Sequence, residues 1–158
     1  MGSEPTMTAP LLVEEALNRA LAGDPHSGGM LLVPLIEDSR RECFALCVML
    51  AVTSAHGLKR GADGMFVLLV EDVETGLPAH PEDLPPHVQF AAQFVTAWAN
   101  EDHDGAQALF DALAVDIDSE AGMGRVVDGV IALYGMAIAS VRALIEEQRN
   151  NPNQEENR

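Results

Sequence analysis

A chain of 158 residues with 47% hydrophobic and 22% charged residues has the composition of one globular domain, able to bury about two-thirds of its unfolded surface without disulfide or metal staples. Its formal net charge of −16 repels phosphate backbones and anionic headgroups, so nucleic acid and membrane are excluded as expected partners and a basic protein surface is favoured. Aromatic residues make up only 4%, so the expected interior is close helix packing on Ala, Leu and Val.

In chain order, residues 1–9 read as a flexible N-terminus, because "MGSEPTMTAP" has neither the charged nor the apolar region of a secretory signal. Gly2 and Thr6 satisfy the N-myristoylation pattern, but Glu4 and Pro5 supply no basic second anchor, and no lipid is expected. A single helical domain is expected over 10–149. Its first helix carries apolar Val13, Leu17, Ala20 and Leu21 at helical spacing, with Glu14 and Glu15 in its first turn, and closes at Gly23. A second, kinked helix follows Asp24-Pro25 and is interrupted by Pro34; the third starts near Ser39 and is apolar on nearly every side from Cys43 to Val52, which places it centrally.

A small β-hairpin is expected over 64–80, from the β-favouring run Met65–Val70 and the Thr75-Gly76 turn. A Pro-rich entry then leads to a fourth helix with Phe90, Phe94, Val95 and Trp98 on one side, and "DGAQALFDALA" is the fifth, capped by Asp104. After a loop "VDIDSEAGMG", a long sixth helix begins at Arg125, and the polar tail 150–158 is expected to be disordered. The fold class is therefore mainly α: a six-helix bundle with a central hairpin. An alignment with one gap pairs Ala20 with Ala97, Leu21 with Trp98, Asp24 with Asp102, Leu31 with Leu109 and Leu35 with Leu113. Two three-helix pseudo-repeats, 10–58 and 86–149, are the simplest organisation consistent with it.

Asn100, Asp102, Asp104, Gly105 and Asp111 fall at the first, third, fifth, sixth and twelfth positions of a calcium loop. Against that reading, Gln107 replaces the usual buried aliphatic residue, Asp111 is shorter than the bidentate Glu, and the matching first-half turn "GDPHSGG" makes the same bend with one acid. A capped, acidic helix turn is the expectation. Five histidines stand at turns or helix ends with no pair at i, i+4 spacing; the strongest metal constellation would join His26 and His103 at matching turns. Ser27, Ser39, Ser54, Ser119 and Ser140 lack a nucleophile elbow or a Ser-x-x-Lys pattern, and no glycine-rich stretch has a P-loop lysine.

Cys43 and Cys47, four apart in an apolar run, share one helix face and read as unreactive core thiols of a reducing cytoplasm. The apolar stretch after Arg125 carries Asp128 and falls short of a membrane span. Its small residues Gly135, Ala139 and Ala143 are expected to pack the sixth helix against the third, or, if exposed, to make a homodimer face. The strand edge at Phe66, Leu68 and Val70 is the second candidate seam for a homodimer.

No residue is assigned a catalytic, cofactor-binding or metal role, and no cofactor is expected. The leading function is a non-enzymatic acidic interaction module, an adaptor or an inhibitor of a basic partner. The Arg-over-Lys bias, with Lys59 the only lysine, suggests a GC-rich bacterial genome and hence a bacterial cytoplasm. The alternatives are a small hydrolase or metal-dependent enzyme with its site between the halves, and a calcium-responsive protein acting through 100–111.

Overall fold

The computed structural model describes residues 7–60, 63–67 and 74–151, which are mainly α-helical. Helix α1 (Ala9–Leu21) starts with a proline in its first turn and buries Val13, Ala16 and Ala20, three or four residues apart. It ends in a turn where Gly23 takes a left-handed φ of 98°, and Asp24 opens α2 (Pro25–Met30) by accepting the Ser27 N–H at 3.0 Å. The single kinked helix expected here is instead two segments, α2 and α3 (Val33–Asp38), separated at Leu31 and Leu32. The cause is Pro34, which has no N–H to offer the Met30 carbonyl. Helix α4 (Arg40–Ala55) is capped by Ser39, whose Oγ accepts the Glu42 N–H, and buries Cys43, Leu46, Cys47, Leu50, Ala51 and Ser54.

Among the described residues the hairpin expected over 64–80 is not seen; residues 68–73, which lead into the Thr75-Gly76 turn, lie outside them. Strand β2 (Phe66–Val67) instead pairs backward, antiparallel, with β1 (Lys59–Arg60), Lys59 opposite Val67. Leu68 and Val70 lie outside the described residues, and so does that part of the proposed edge. Asn100, the residue that caps the C-terminus of the helix Pro86–Ala99, holds this strand. Its Oδ1 accepts the Phe66 N–H at 2.8 Å and its Nδ2 donates to the Phe66 carbonyl at 3.0 Å, so its side chain satisfies the backbone of β2.

A 3-10 turn at Pro81–Asp83 precedes α5 (Pro86–Ala99), then come α6 (His103–Leu113) and α7 (Glu120–Asn150). The cap of α6 is Asp102, not Asp104: its Oδ1 accepts the Gly105 N–H at 2.9 Å. Helix α7 starts five residues before Arg125, capped by Ser119, whose Oγ accepts the Gly122 N–H. The glycines at 122 and 124 imitate a loop in sequence. Gly122 is in fact buried against the Asp116 carbonyl, leaving no room for a Cβ. Helix α7 continues to Asn150, so the first residue of the expected tail is helical.

At 31 residues, with a window of mean hydropathy 1.5, α7 is long and apolar enough to cross a membrane by length and composition, contrary to the reading that this stretch falls short. It buries nine residues, among them Val126, Val130, Leu133 and Ala137, in one core with α4 and α5. Gly129, rather than the expected stripe, is its point of closest approach: a Cβ there would stand 2.9 Å from Leu113 and 3.0 Å from Phe90. Gly135, Ala139 and Ala143 are exposed, which overturns their expected packing against α4. Phe44 of α4 fills the space between α5 and α6, edge-on to Phe94 at 6.1 Å and to Phe110 at 5.3 Å.

The α1–α2 and α5–α6 turns use the same bonds at a constant displacement of 78 residues, from Asp24 to Asp102. Ala22 N–H to Asn18 O corresponds to Asn100 N–H to Thr96 O; Gly23 to Ala20 corresponds to Glu101 to Trp98; Asp24 to Arg19 corresponds to Asp102 to Ala97. Gly23 and Glu101 both take a positive φ. Buried Gly28, Leu32 and Ile36 likewise match buried Ala106, Phe110 and Ala114. No gap is needed, so Ala20 stands opposite Trp98 rather than Ala97.

Candidate functional site

Of the calcium-loop residues, Asn100, Asp102 and Asp111 are committed to structural bonds and Gly105 donates its N–H to Asp102. Asn100 holds β2, Asp102 caps α6, and Asp111 accepts from Arg40 Nη2 at 2.9 Å and from Gln107 Nε2 at 3.0 Å. Arg40 is the first cause, and Gln107 the second, of an Asp111 carboxyl held below its ordinary range. Helix α6 begins at His103, so the second half of the would-be loop is coiled into helix rather than wrapped around an ion.

His103 stacks on Trp98 with ring centroids 4.3 Å apart, whereas His26 lies in the first turn of α2. The displacement that superposes the turns puts Asp104, not His103, opposite His26. Among the described residues, no group of three His, Cys, Asp or Glu side chains is placed to hold a metal. Ser140 Oγ is buried without a hydrogen bond, so no general base activates it. Cys43 and Cys47 are both fully buried on one face of α4, and the hydrogen bond with Cys43, followed by burial, pushes the Cys47 thiol well above its ordinary value.

Beside a cavity of about 390 Å³ between α1 and α4, lined by Val13, Leu17, Val48 and Val52 among others, two larger ones are present. One, about 430 Å³, lies between α5 and the segments around Met65 and Leu84. Four of its polar side chains are engaged in internal bonds: Gln89 donates to the Leu84 carbonyl, Thr96 to the Ala92 carbonyl, and Asn100 and Asp102 act as described, while Gln93 also lines it.

The other, about 450 Å³, runs between the α2–α3 segment and α7 and is the feature that sequence reasoning missed. Met30, Val33 and Ile36 form one wall; Val127, Ile131, Gly135 and Ile138 form the other. Met30 and Ile131 are more than half exposed, at 57% and 56%, although both are large and apolar. A Cβ on Gly135 would meet nothing within 4 Å, so the groove is open there. Tyr134 lines it with its ring while its Oη turns away and donates to the Ala16 carbonyl at 2.8 Å; burial, then the Asp24 carboxylate, pushes its phenol upward. The polar end of the tyrosine is thus spent on the scaffold, and the groove side stays apolar.

No Lys or Arg lines this groove; His26 is its only basic side chain. Exposed carboxylates flank it in the chain: Asp24 before α2, Glu37 and Asp38 closing α3, and Asp128 three residues before Ile131. Several arginines are engaged elsewhere, Arg19 with Glu15 at 2.9 Å, Arg40 with Asp111 at 2.9 Å and Arg142 with the Ala20 carbonyl at 3.2 Å. The only sign of the groove in the sequence was the pair of apolar residues Met30 and Ile131, and their juxtaposition needs the α2–α7 contact. Compared with protein-family models, with curated proteins and with solved structures, the chain matches none.

Proposed function

We propose that this chain is a non-enzymatic, acidic interaction module of a bacterial cytoplasm, an adaptor or inhibitor that takes a basic protein partner on the α2–α3/α7 groove. The observation that carries this reading is an exposed apolar groove whose described lining holds no Lys or Arg and which the exposed carboxylates of Asp24, Glu37, Asp38 and Asp128 flank in the chain. Support for a binding rather than a catalytic role comes from the polar side chains, which are committed to caps and internal bonds instead of converging on a cavity. The finer architecture belongs to the same proposal: a six-helix bundle, with α2 and α3 counted as one kinked helix, made of two pseudo-repeats over 10–58 and 86–149. The matched turns at a displacement of 78 residues support it.

A homodimer is the second reading, favoured by the exposure of Gly135 and Ala139 beside the groove. Its difficulty is electrostatic, since a second copy brings a second charge of −16 to the same face. The test is equilibrium binding to a panel of basic, neutral and acidic helical peptides over a range of salt. Basic peptides are expected to bind, with affinity falling as salt rises. Failure of every basic peptide, or binding indifferent to salt, would remove the reading.

A further inference from the structure

The seam between α7 and the α2–α3 segment is open, whereas the seam between α4 and α6 is closed at Phe44 by the chain's own side chains; farther along α4 a separate cavity of about 390 Å³ opens against α1 at Val48 and Val52. Along α4 and α7 the buried positions match at a displacement of 83 residues: Cys43 with Val126, Cys47 with Val130, Leu50 with Leu133, Ser54 with Ala137. This register puts Phe44 at the place of Val127, Val48 at Ile131 and Val52 at Gly135, while the displacement of 78 puts Phe110 at the place of Leu32. Where α4 meets α6, the Phe44 ring seals the seam against Phe110 at 5.3 Å. The Arg40 guanidinium stands 5.8 Å from the Phe110 ring centroid and bonds Asp111 at 2.9 Å. Where α7 meets α2 and α3, Val127 stands in the register position of that phenylalanine, and a cavity of about 450 Å³ is left.

From this comparison we propose that the groove seats one amphipathic helix of the basic partner, which supplies in trans what Phe44 and Arg40 supply in cis: a large apolar plug and a cation beside it. The inference rests on the interaction-module reading and on the repeat register within it. From Val127 to Ile138 the α7 wall is about 16 Å long, two to three helical turns, which fits anchors at i, i+4 and i+7 of a bound helix. The plug packs against Met30 and Ile131, both more than half exposed, and against Ile138, which lines the groove from the core. Cations on the flanks of the bound helix meet the carboxylates of Glu37, Asp38 and Asp128. A second copy of this chain is a poorer occupant because it adds negative charge at the same rim.

The experiment uses the full chain and two fluorescent synthetic helices with identical Leu and Phe anchors, one bearing Lys and Arg on its outer face, the other Glu. Binding is read by anisotropy and mapped by side-chain methyl NMR shifts. The wild type should bind the basic helix and perturb Met30, Ile131 and Ile138, and should not bind the acidic one. Ile131→Glu, at an exposed position, and Gly135→Trp, into open space, should each weaken binding about tenfold or more. Val52→Glu, at the corresponding exposed position on α4, should leave it unchanged. Equal binding by all four proteins would overturn the groove assignment while sparing the acidic-module reading, whereas no binding by the wild type would overturn both. Equal binding of the two helices would overturn the cation requirement. A wild-type dimer that Ile131→Glu splits into monomers would make a second copy the occupant and overturn the proposal.

Discussion

Glu101 has a φ of 61°, a left-handed conformation that an L side chain adopts at a cost, whereas Gly23, in the similarly bonded α1–α2 turn, adopts a positive φ of 98° freely. Glu101→Gly should therefore stabilise the protein by about 1 kcal/mol, a rise in Tm of about 2–4 °C for a chain this long, read by thermal melting. An unchanged or lower Tm would mean that Glu101 makes a compensating interaction. Tyr134 gives the second test at this scale. Tyr134→Phe removes the 2.8 Å bond to the Ala16 carbonyl and should cost about 1 kcal/mol. Because the folded phenol is pushed above the ordinary 10.0, its contribution is complete below that pH and is lost as pH rises through the folded value. Denaturant melts on the alkaline side should show stability falling in the wild type and a shallower fall in the variant.

At the scale of elements, what distinguishes this fold is how closely short helices approach long ones. Gly28 sits where a Cβ would overlap both Tyr134 Oη and the Ala16 carbonyl, so α2 lies against α1 only because that position has no side chain. Gly28→Ala should cost about 3 kcal/mol by forcing the α1–α2 pair apart. Gly124→Ala, in α7 with nothing within 4 Å, should instead stabilise by about 0.5–1 kcal/mol through helix propensity. Denaturant titration of the two variants separates the effects, and a neutral Gly28→Ala would show that the α1–α2 contact yields without cost. The same contrast explains why α7 was read too short. A buried glycine selected for close approach and a loop glycine are the same letter in sequence, and only the Asp116 carbonyl beside Gly122 distinguishes them.

For the whole molecule, two seams are filled differently: Phe44 lies against Phe110 where α4 meets α6, whereas a cavity of about 450 Å³ is left where α7 meets α2 and α3, in a chain of net charge −16. The sequence by itself determined the mainly helical class, the cap at Asp24, the helix start near Ser39, the burial of Cys43 and Cys47 and the apolar side of α5, because capping and helical periodicity are local properties written in three to seven consecutive residues. The tertiary structure alone decided three things. Asn100 became the partner of β2, since its bonds run to Phe66, 34 positions away. The small stripe Gly135, Ala139 and Ala143 faces outward while Gly129 makes the close contact, because which small residue meets a neighbour depends on the rotation of α7 against Phe90 and Leu113. Met30 and Ile131 came together on opposite walls of one groove, because helices distant in sequence meet only through the packing of the core, and periodicity along one helix carries no record of what lies across from it.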